Sequence, residues 1–347
     1  MVVAVVLSGR TGRNGVMAGV VLGALLMASV SCGGADGAGG KPLTKVTYRG
    51  PFVTSGGDAP LYYADKLGYF EEEGLDVEIR DSKGSGQTIT DVGNGGSDFG
   101  MAAATNLIMA IGQGQQLTSA ATYLGRSSFG FFVPKDSGIT SIKGLRGRSV
   151  AVSALVEQNM YAALTAAGLS KSDVEVVVAD ANALVTTYVS GKVDAMYTVR
   201  YFVPQTQRRP AEVLMQSDVG FNPPDYVLVV TRETLRDRPQ LVRAFARATL
   251  RGFQAAKKDP DAAIKAITAE HPELNPRQSL GTLKSVLDFM CSPAQSGRPY
   301  GENAPDDWTG AVEGLKRTAG LRGPEDGRKY FDNSLFAKGD GLGTGTC

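Results

Sequence analysis

The sequence predicts an α/β fold of two similarly built lobes, and three observations carry that expectation. Short apolar strand segments alternate with helix-like segments, the pattern of βαβ units on a parallel sheet. One order of signals then occurs twice. Gly74-Leu-Asp-Val-Glu-Ile79, a helix end followed by an alternating strand, leads to Gly95-Gly-Ser-Asp98 and the apolar strand Phe99-Gly-Met-Ala102. Further on, Gly168-Leu-Ser-Lys-Ser-Asp173-Val-Glu-Val176 leads in the same way to Gly191-Lys-Val-Asp194 and Ala195-Met-Tyr197. Glycine after a helix supplies the left-handed cap, and short apolar runs are buried-strand signals. Finally, 347 residues suit two domains of roughly 100–200 residues each.

The first lobe begins with a strand at Val46–Tyr48 and a helix over Leu61–Phe70, closed by Gly74. Its later strands fall at Val77–Arg80, Phe99–Ala102 and Ser119–Leu124. The second lobe opens after Phe129–Val133, with Ser149–Val152 as its first strand. It continues through a helix over Glu157–Ala167, a strand at Val174–Ala179, a helix over Ala183–Ser190 and a strand at Asp194–Tyr197. Tyr226–Val230 leads back to the first lobe. From Arg232 the pattern is mostly helical: Val242, Phe245, Thr249 and Phe253 recur at helical spacing with charges between them, and Pro260 ends that helix. Trp308, the lone tryptophan, reads as core among the closing helices.

Composition excludes much chemistry. With 36 basic against 35 acidic residues, the chain has no overall field for nucleic acid, and no basic run carries interleaved aromatics. A single histidine, His271, argues against a His-based triad or a multi-histidine metal site. No cofactor and no metal are expected. Three cysteines are too few for a disulfide scaffold.

Residues 1–31 read as an export segment. Arg10 and Arg13 precede an apolar stretch from Val16 to Val30, followed by Ser31, Cys32 and the glycine-rich Gly33–Gly40. The apolar run is short for a bilayer span of about 20 residues. Cys32 resembles the acylated cysteine of a bacterial lipoprotein, although Ser29 stands where leucine is usual. An ordinary cleaved signal with an incidental cysteine is the other reading. Residues 32–44 form a flexible tether. Outside the cytoplasm disulfides persist, and Cys291 and Cys347 are the remaining pair; a bond between them would pin the C-terminal tail.

Several segments in order resemble the SsuA/THI5-like (NMT1) family of ABC-importer solute-binding proteins. They are Pro60–Ile79, Gly95–Gly100, Asp136–Val150, Gly191–Ala195 and Phe331–Leu335. The resemblance spans nearly all of the chain after the export segment. It implies a type II periplasmic-binding-protein fold: two α/β lobes, a two-stranded hinge and a ligand in the cleft. Here the crossings would lie at Phe131–Lys135 and Asn222–Tyr226. Lobe 1 is then 45–132 plus 226–347, and lobe 2 is 133–225. The implied role is capture of a small-molecule solute for an ABC permease and ATPase. The protein would sit at the outer face of the bacterial cytoplasmic membrane, held through a lipid anchor on Cys32. No reaction is implied; fungal pyrimidine synthases of this fold use an active-site histidine and a cysteine-rich motif, neither of which is recognisable around His271, Cys291 or Cys347. A sensor lipoprotein without transport is a further alternative.

Cleft candidates follow from position at strand-to-helix turns, where free helix N–H groups hold polar ligand atoms. In lobe 1 they are Ser55, Asp58 and Tyr62, then Ser85, Gly86 and Gln87, then Thr105 and Asn106. In lobe 2 they are Ser153, Glu157, Gln158, Tyr197 and Arg200. Serine, threonine, asparagine and aspartate at such places also read as helix caps. The resemblance leaves the solute open. Asp58 or Glu157 favours an amine-bearing heteroaromatic such as a thiamine-pyrimidine precursor. Arg200 and the helix N-termini favour an alkyl sulfonate, taurine, nitrate or an aromatic carboxylate. Ring stacking would come from Tyr62, Phe52 or Tyr197.

Overall fold

The computed structural model describes residues 42–180, 183–337 and 341–347. The export segment, Cys32 and the tether up to Lys41 lie outside the described residues. The strands are β1 (Thr44–Arg49), β2 (Leu75–Arg80), β3 (Phe99–Ala103), β4 (Leu117–Thr122), β5 (Phe129–Pro134), β6 (Ser149–Ser153), β7 (Glu175–Ala179), β8 (Ala195–Val199), β9 (Ala211–Met215) and β10 (Tyr226–Thr231). They form two sheets of one topology, in the orders β2-β1-β3-β10-β4 and β7-β6-β8-β5-β9. In each sheet the first three strands run parallel. The fourth strand runs against them and pairs antiparallel with the fifth.

The duplicated sequence signal has a physical cause. Asp98 Oδ2 accepts from the Thr47 amide at 2.9 Å and from its hydroxyl at 3.2 Å, while the Asp98 amide donates back to Thr47. Asp194 repeats this on the Ser149 amide and hydroxyl, each at 2.9 Å. Each aspartate locks the start of one parallel strand to its neighbour. These motifs are therefore structural.

Helices α1 (Ala59–Lys66), α2 (Tyr69–Glu72), α3 (Ser85–Gly93) and α4 (Ala104–Gly112) belong to lobe 1, and α5 (Glu157–Ala166) and α6 (Leu184–Val189) to lobe 2. The expected helix to Phe70 is broken at Gly68, whose φ of 74° is left-handed. After β10 come α7 (Arg232–Asp237), α8 (Pro239–Lys258), α9 (Pro260–Glu270), α10 (Pro276–Leu287) and α11 (Pro305–Ala319). Helix α8 buries Val242, Phe245, Thr249 and Phe253 against lobe 1. Pro260 both ends α8 and opens α9, because a missing N–H costs nothing in a first turn. Trp308 is fully buried beside Phe331. No helix among the described residues is long and apolar enough to cross a membrane.

The chain crosses between sheets over 123–128 and over 220–225. The first crossing thus precedes the expected Phe131–Lys135, and lobe 2 starts near Phe129 rather than at residue 133. Phe131 and Val133 face the lobe 2 core, and β5 pairs with both β8 and β9, so the segment is a central strand. Strand β9 was not expected from the sequence. The lobes touch through α5 with α11, and through the turn at Arg200–Thr206 with α10. Cys291 and Cys347 are bonded, with Cα atoms 5.7 Å apart, and the tail also pairs with Arg298 and Tyr300.

Candidate functional site

The turn after β1 places a carboxylate at the edge of the space between the lobes. Ser55 donates from its amide at 2.9 Å and its hydroxyl at 3.2 Å to Asp58 Oδ2, and its Oγ accepts from Gly57. This capping box fixes Asp58 at the head of α1. Burial pushes the Asp58 carboxyl up to about 6, against the pull of the Ser55 hydrogen bonds and His271. Tyr48, at the end of β1, is buried with its ring stacked on Phe245, and its hydroxyl has no hydrogen-bond partner among the described residues. Tyr62 lies edge-on to His271, with Tyr62 Oη 2.8 Å from Nε2; Nδ1 of that histidine is 3.0 Å from Glu273. Both rings, with Arg49 and Asp81, line a cavity of about 530 Å³.

The two crossings lie side by side, and Asp225 joins them. It is 2% exposed. Its Oδ2 accepts from the Ser128 amide at 3.1 Å and from the Ser128 hydroxyl, while Oδ1 has no hydrogen-bond partner among the described residues. Burial pushes this carboxyl up to about 6. Tyr226 follows directly, and its hydroxyl is 3.0 Å from that of Tyr201, which lobe 2 packs against the lobe 1 core. Burial raises both phenols, and Asp225 and Asp58 add to the effect on each. Both carboxyls thus act on one tyrosine pair drawn from both lobes.

A polar chain continues on either side. Tyr197 donates to Gln216 and accepts from Asn159 at 2.8 Å, and Gln216 Nε2 donates to Ser127 at 2.7 Å. Ser127 donates its amide to Asn222 at 2.9 Å, and Asn222 donates to Asp307 at 3.3 Å. Asp307, pushed up to about 6 by burial, also accepts from Ser292. At the outer rim, a cavity of about 880 Å³ lies between α6 and the start of α10, with Arg208 and Arg277 on opposite lobes.

The structure brings some expected residues together and separates others. Ser55, Asp58 and Tyr62 form one group. Ser85 Oγ accepts from the Ala103 amide at 3.1 Å, which sets Ser85 beside Thr105 and Asn106 at the end of β3. Gly86 and Gln87 are exposed, and Gln87 caps its own turn on Lys83. Ser153 is buried at the end of β6. Glu157 accepts from Tyr161 at 2.6 Å within α5, and Gln158 is exposed. Arg200 is also exposed, with no acidic partner among the described residues.

The stacking expectation needs correction. Tyr197 is fully buried between Phe129 and Phe131 and its hydroxyl is consumed in the core, while Phe52 is 41% exposed. The half-buried rings between the lobes are Tyr201 and Tyr226. His271 is tied to Tyr62 at the edge of the site. Sequence reasoning missed Asp225, Tyr48, Tyr201 and Tyr226. The only local signal was an aspartate and a tyrosine next to Pro223-Pro224 at an expected crossing.

Comparison with known proteins fits this architecture. The riboflavin-binding protein RibY of Chloroflexus aurantiacus is 25% identical over 312 residues, 86% of this chain and 87% of the relative. The 4-amino-5-hydroxymethyl-2-methylpyrimidine phosphate synthase THI13 of Saccharomyces cerevisiae is 26% identical over 233 residues, 62% of this chain and 68% of that protein. The periplasmic aliphatic sulphonate binding protein SsuA from Escherichia coli superposes with a TM-score of 0.66 at 14% identity, covering 84% of this chain and 92% of that one. The fold is that of the periplasmic binding proteins. The family described as NMT1/THI5 like matches over residues 57–263, more than half of the sequence, and the chain belongs to that family.

Proposed function

We propose that the protein is an extracytoplasmic solute-binding lipoprotein of an ABC importer, anchored through Cys32 and delivering a small organic solute to a permease and its ATPase. The observation that carries this reading is the pairing of two like lobes whose facing ends hold buried, incompletely satisfied polar groups beside a double crossing. Such lobes rotate about their crossings, so a solute seated between them favours the closed state. Asp58, Asp225, Tyr201 and Tyr226 serve as contacts in this reading, with Ser85, Thr105 and Asn106 at the end of β3. The remaining expected residues serve as supports.

Binding without chemistry also suits the residues. Cys291 and Cys347 are bonded to each other, so neither is a free thiol, and the one histidine is held by Tyr62 and Glu273. A thiamine-pyrimidine precursor is the first solute to try, with anionic solutes as the alternative. The test is a thermal and calorimetric screen of the purified full chain against thiamine and its pyrimidine precursors, riboflavin, taurine, alkyl sulfonates, nitrate and aromatic carboxylates. A solute at a hundredfold excess over its Kd adds about 2.7 kcal/mol of stability, a shift of several degrees in Tm. One chemical class binding saturably, with no product formed, supports the reading; product formation overturns it in favour of an enzyme.

A further inference from the structure

The charge of the site narrows the solute class, an inference that rests on the solute-binding reading above. Asp225 directly precedes Tyr226, whose hydroxyl is 3.0 Å from that of Tyr201, and both Asp225 and Asp58 act electrostatically on this tyrosine pair. The groups acting most strongly on these carboxyls include no lysine or arginine, and His271 is the basic group among them for Asp58. Arg126, the basic residue at the first crossing, is turned onto Phe289 and donates to the Asp288 carbonyl. Arg200 is exposed.

Burying carboxylates without cations is costly unless something of opposite charge joins them. Asp225 uses only one oxygen to join the crossings; the other is buried and unbonded, as is the Tyr48 hydroxyl. The side-chain atoms of this cluster are oxygens throughout. An anionic solute would meet two acids with no lysine or arginine acting on either in the strongest interactions, whereas a nitrogen donor would meet acceptors. The described residues hold no group of three or more histidine, cysteine or acidic side chains placed to bind a metal ion.

We propose that the solute is an organic cation, an ammonium or amidinium on a small apolar or aromatic body, with its charge against Asp225 and Asp58 and its body beside Tyr201 and Tyr226. The tyrosine rings add cation–π attraction and apolar cover.

The test is calorimetry on the purified full chain at neutral pH with matched probes. Benzylamine, benzyl alcohol and benzoate share one ring and differ in charge; choline and 3,3-dimethylbutanol share one shape. The cationic member of each set should bind about tenfold or more tighter than its neutral twin, and benzoate should not bind. Asp225→Asn and, separately, Asp58→Asn should remove most of that preference. Glu175→Gln, on an exposed strand position far from this cluster in sequence, should preserve it. If Asp225→Asn fails to fold because the crossings separate, Asp58→Asn carries the test. Equal or tighter binding of a neutral or anionic probe, or a cation preference intact in the variants, overturns the charge assignment and leaves solute binding standing. No binding by any probe here or in the wider screen at millimolar concentration overturns both.

Discussion

Asp225 offers a stability experiment that needs no ligand. Its carboxyl stands near 6 in the fold against 3.8 in the unfolded chain, because burial disfavours the charged form more than the Ser128 hydrogen bonds favour it. Below 3.8 both states hold the proton and the group contributes nothing. Between 3.8 and about 6 the unfolded chain releases its proton while the fold keeps it, so stability falls by about 1.4 kcal/mol per pH unit. Above about 6 the loss is complete, at about 3 kcal/mol. Asp225→Asn keeps an acceptor for Ser128 and removes the titration. Urea unfolding of wild type and variant should therefore give a difference that grows by up to about 3 kcal/mol in favour of the variant from pH 4 to pH 7.5. Asp58 and Asp307 titrate alike in both proteins and cancel. A difference that stays flat across this range would show that Asp225 is solvated in the free protein, and the argument for an unsatisfied buried acid would fail with it.

Three further expectations follow from packing. The Cys291–Cys347 bond closes a separation of 56 residues, for which chain entropy gives about 4 kcal/mol; replacing both with serine should lower the urea midpoint accordingly, and an unchanged midpoint would mean that the tail docks without the bond. A Cβ at Gly314 would lie 2.5 Å from Phe221 Cε2, under the end of the second crossing. Gly314→Ala should cost about 1–3 kcal/mol in the same assay, and a neutral result would mean that Phe221 moves freely. Arg200→Ala should change affinity for any solute found by less than about twofold, since the side chain is exposed and unpaired; a large loss would return an anionic solute to consideration.

The fold was legible because its signals are local. Gly74, Gly95, Gly168 and Gly191 all adopt positive φ, as helix-end glycines should. Asp98 and Asp194 each precede a strand whose neighbour they lock. Boundaries were harder. Phe129–Val133 reads as a generic apolar strand, and only its pairing partners assign it to lobe 2; Ala211–Met215 is short and carries Glu212, so it gave little strand signal. The site was least legible, because its contacts are distant in sequence. Tyr62 and His271 are 209 positions apart, and Ser128 and Asp225 are 97 apart. Strand-to-helix turns pointed to Asp58 and the end of β3, and both lie at such turns in the structure. No periodicity marks a hinge acid.

In the proposed reading, the two crossings would bring site and hinge together. In each sheet the antiparallel fourth strand lies next to a crossing: β5 follows the first, and β10 follows the second. The residues entering these strands, Ser128 and Asp225, are hydrogen-bonded to each other across the crossings. One oxygen of Asp225 makes that link, and the other is buried without a partner among the described residues, in the residue directly before Tyr226. In the proposed reading, a rotation about the crossings that separated Tyr201 from Tyr226 would let water reach Asp225 and relieve the burial that raises its carboxyl. Opening would then be favoured when Asp225 is charged and unpaired, and closure when a donor satisfies it. A solute that pairs with Asp225 would stabilise the closed arrangement through the same residue that joins the two strands.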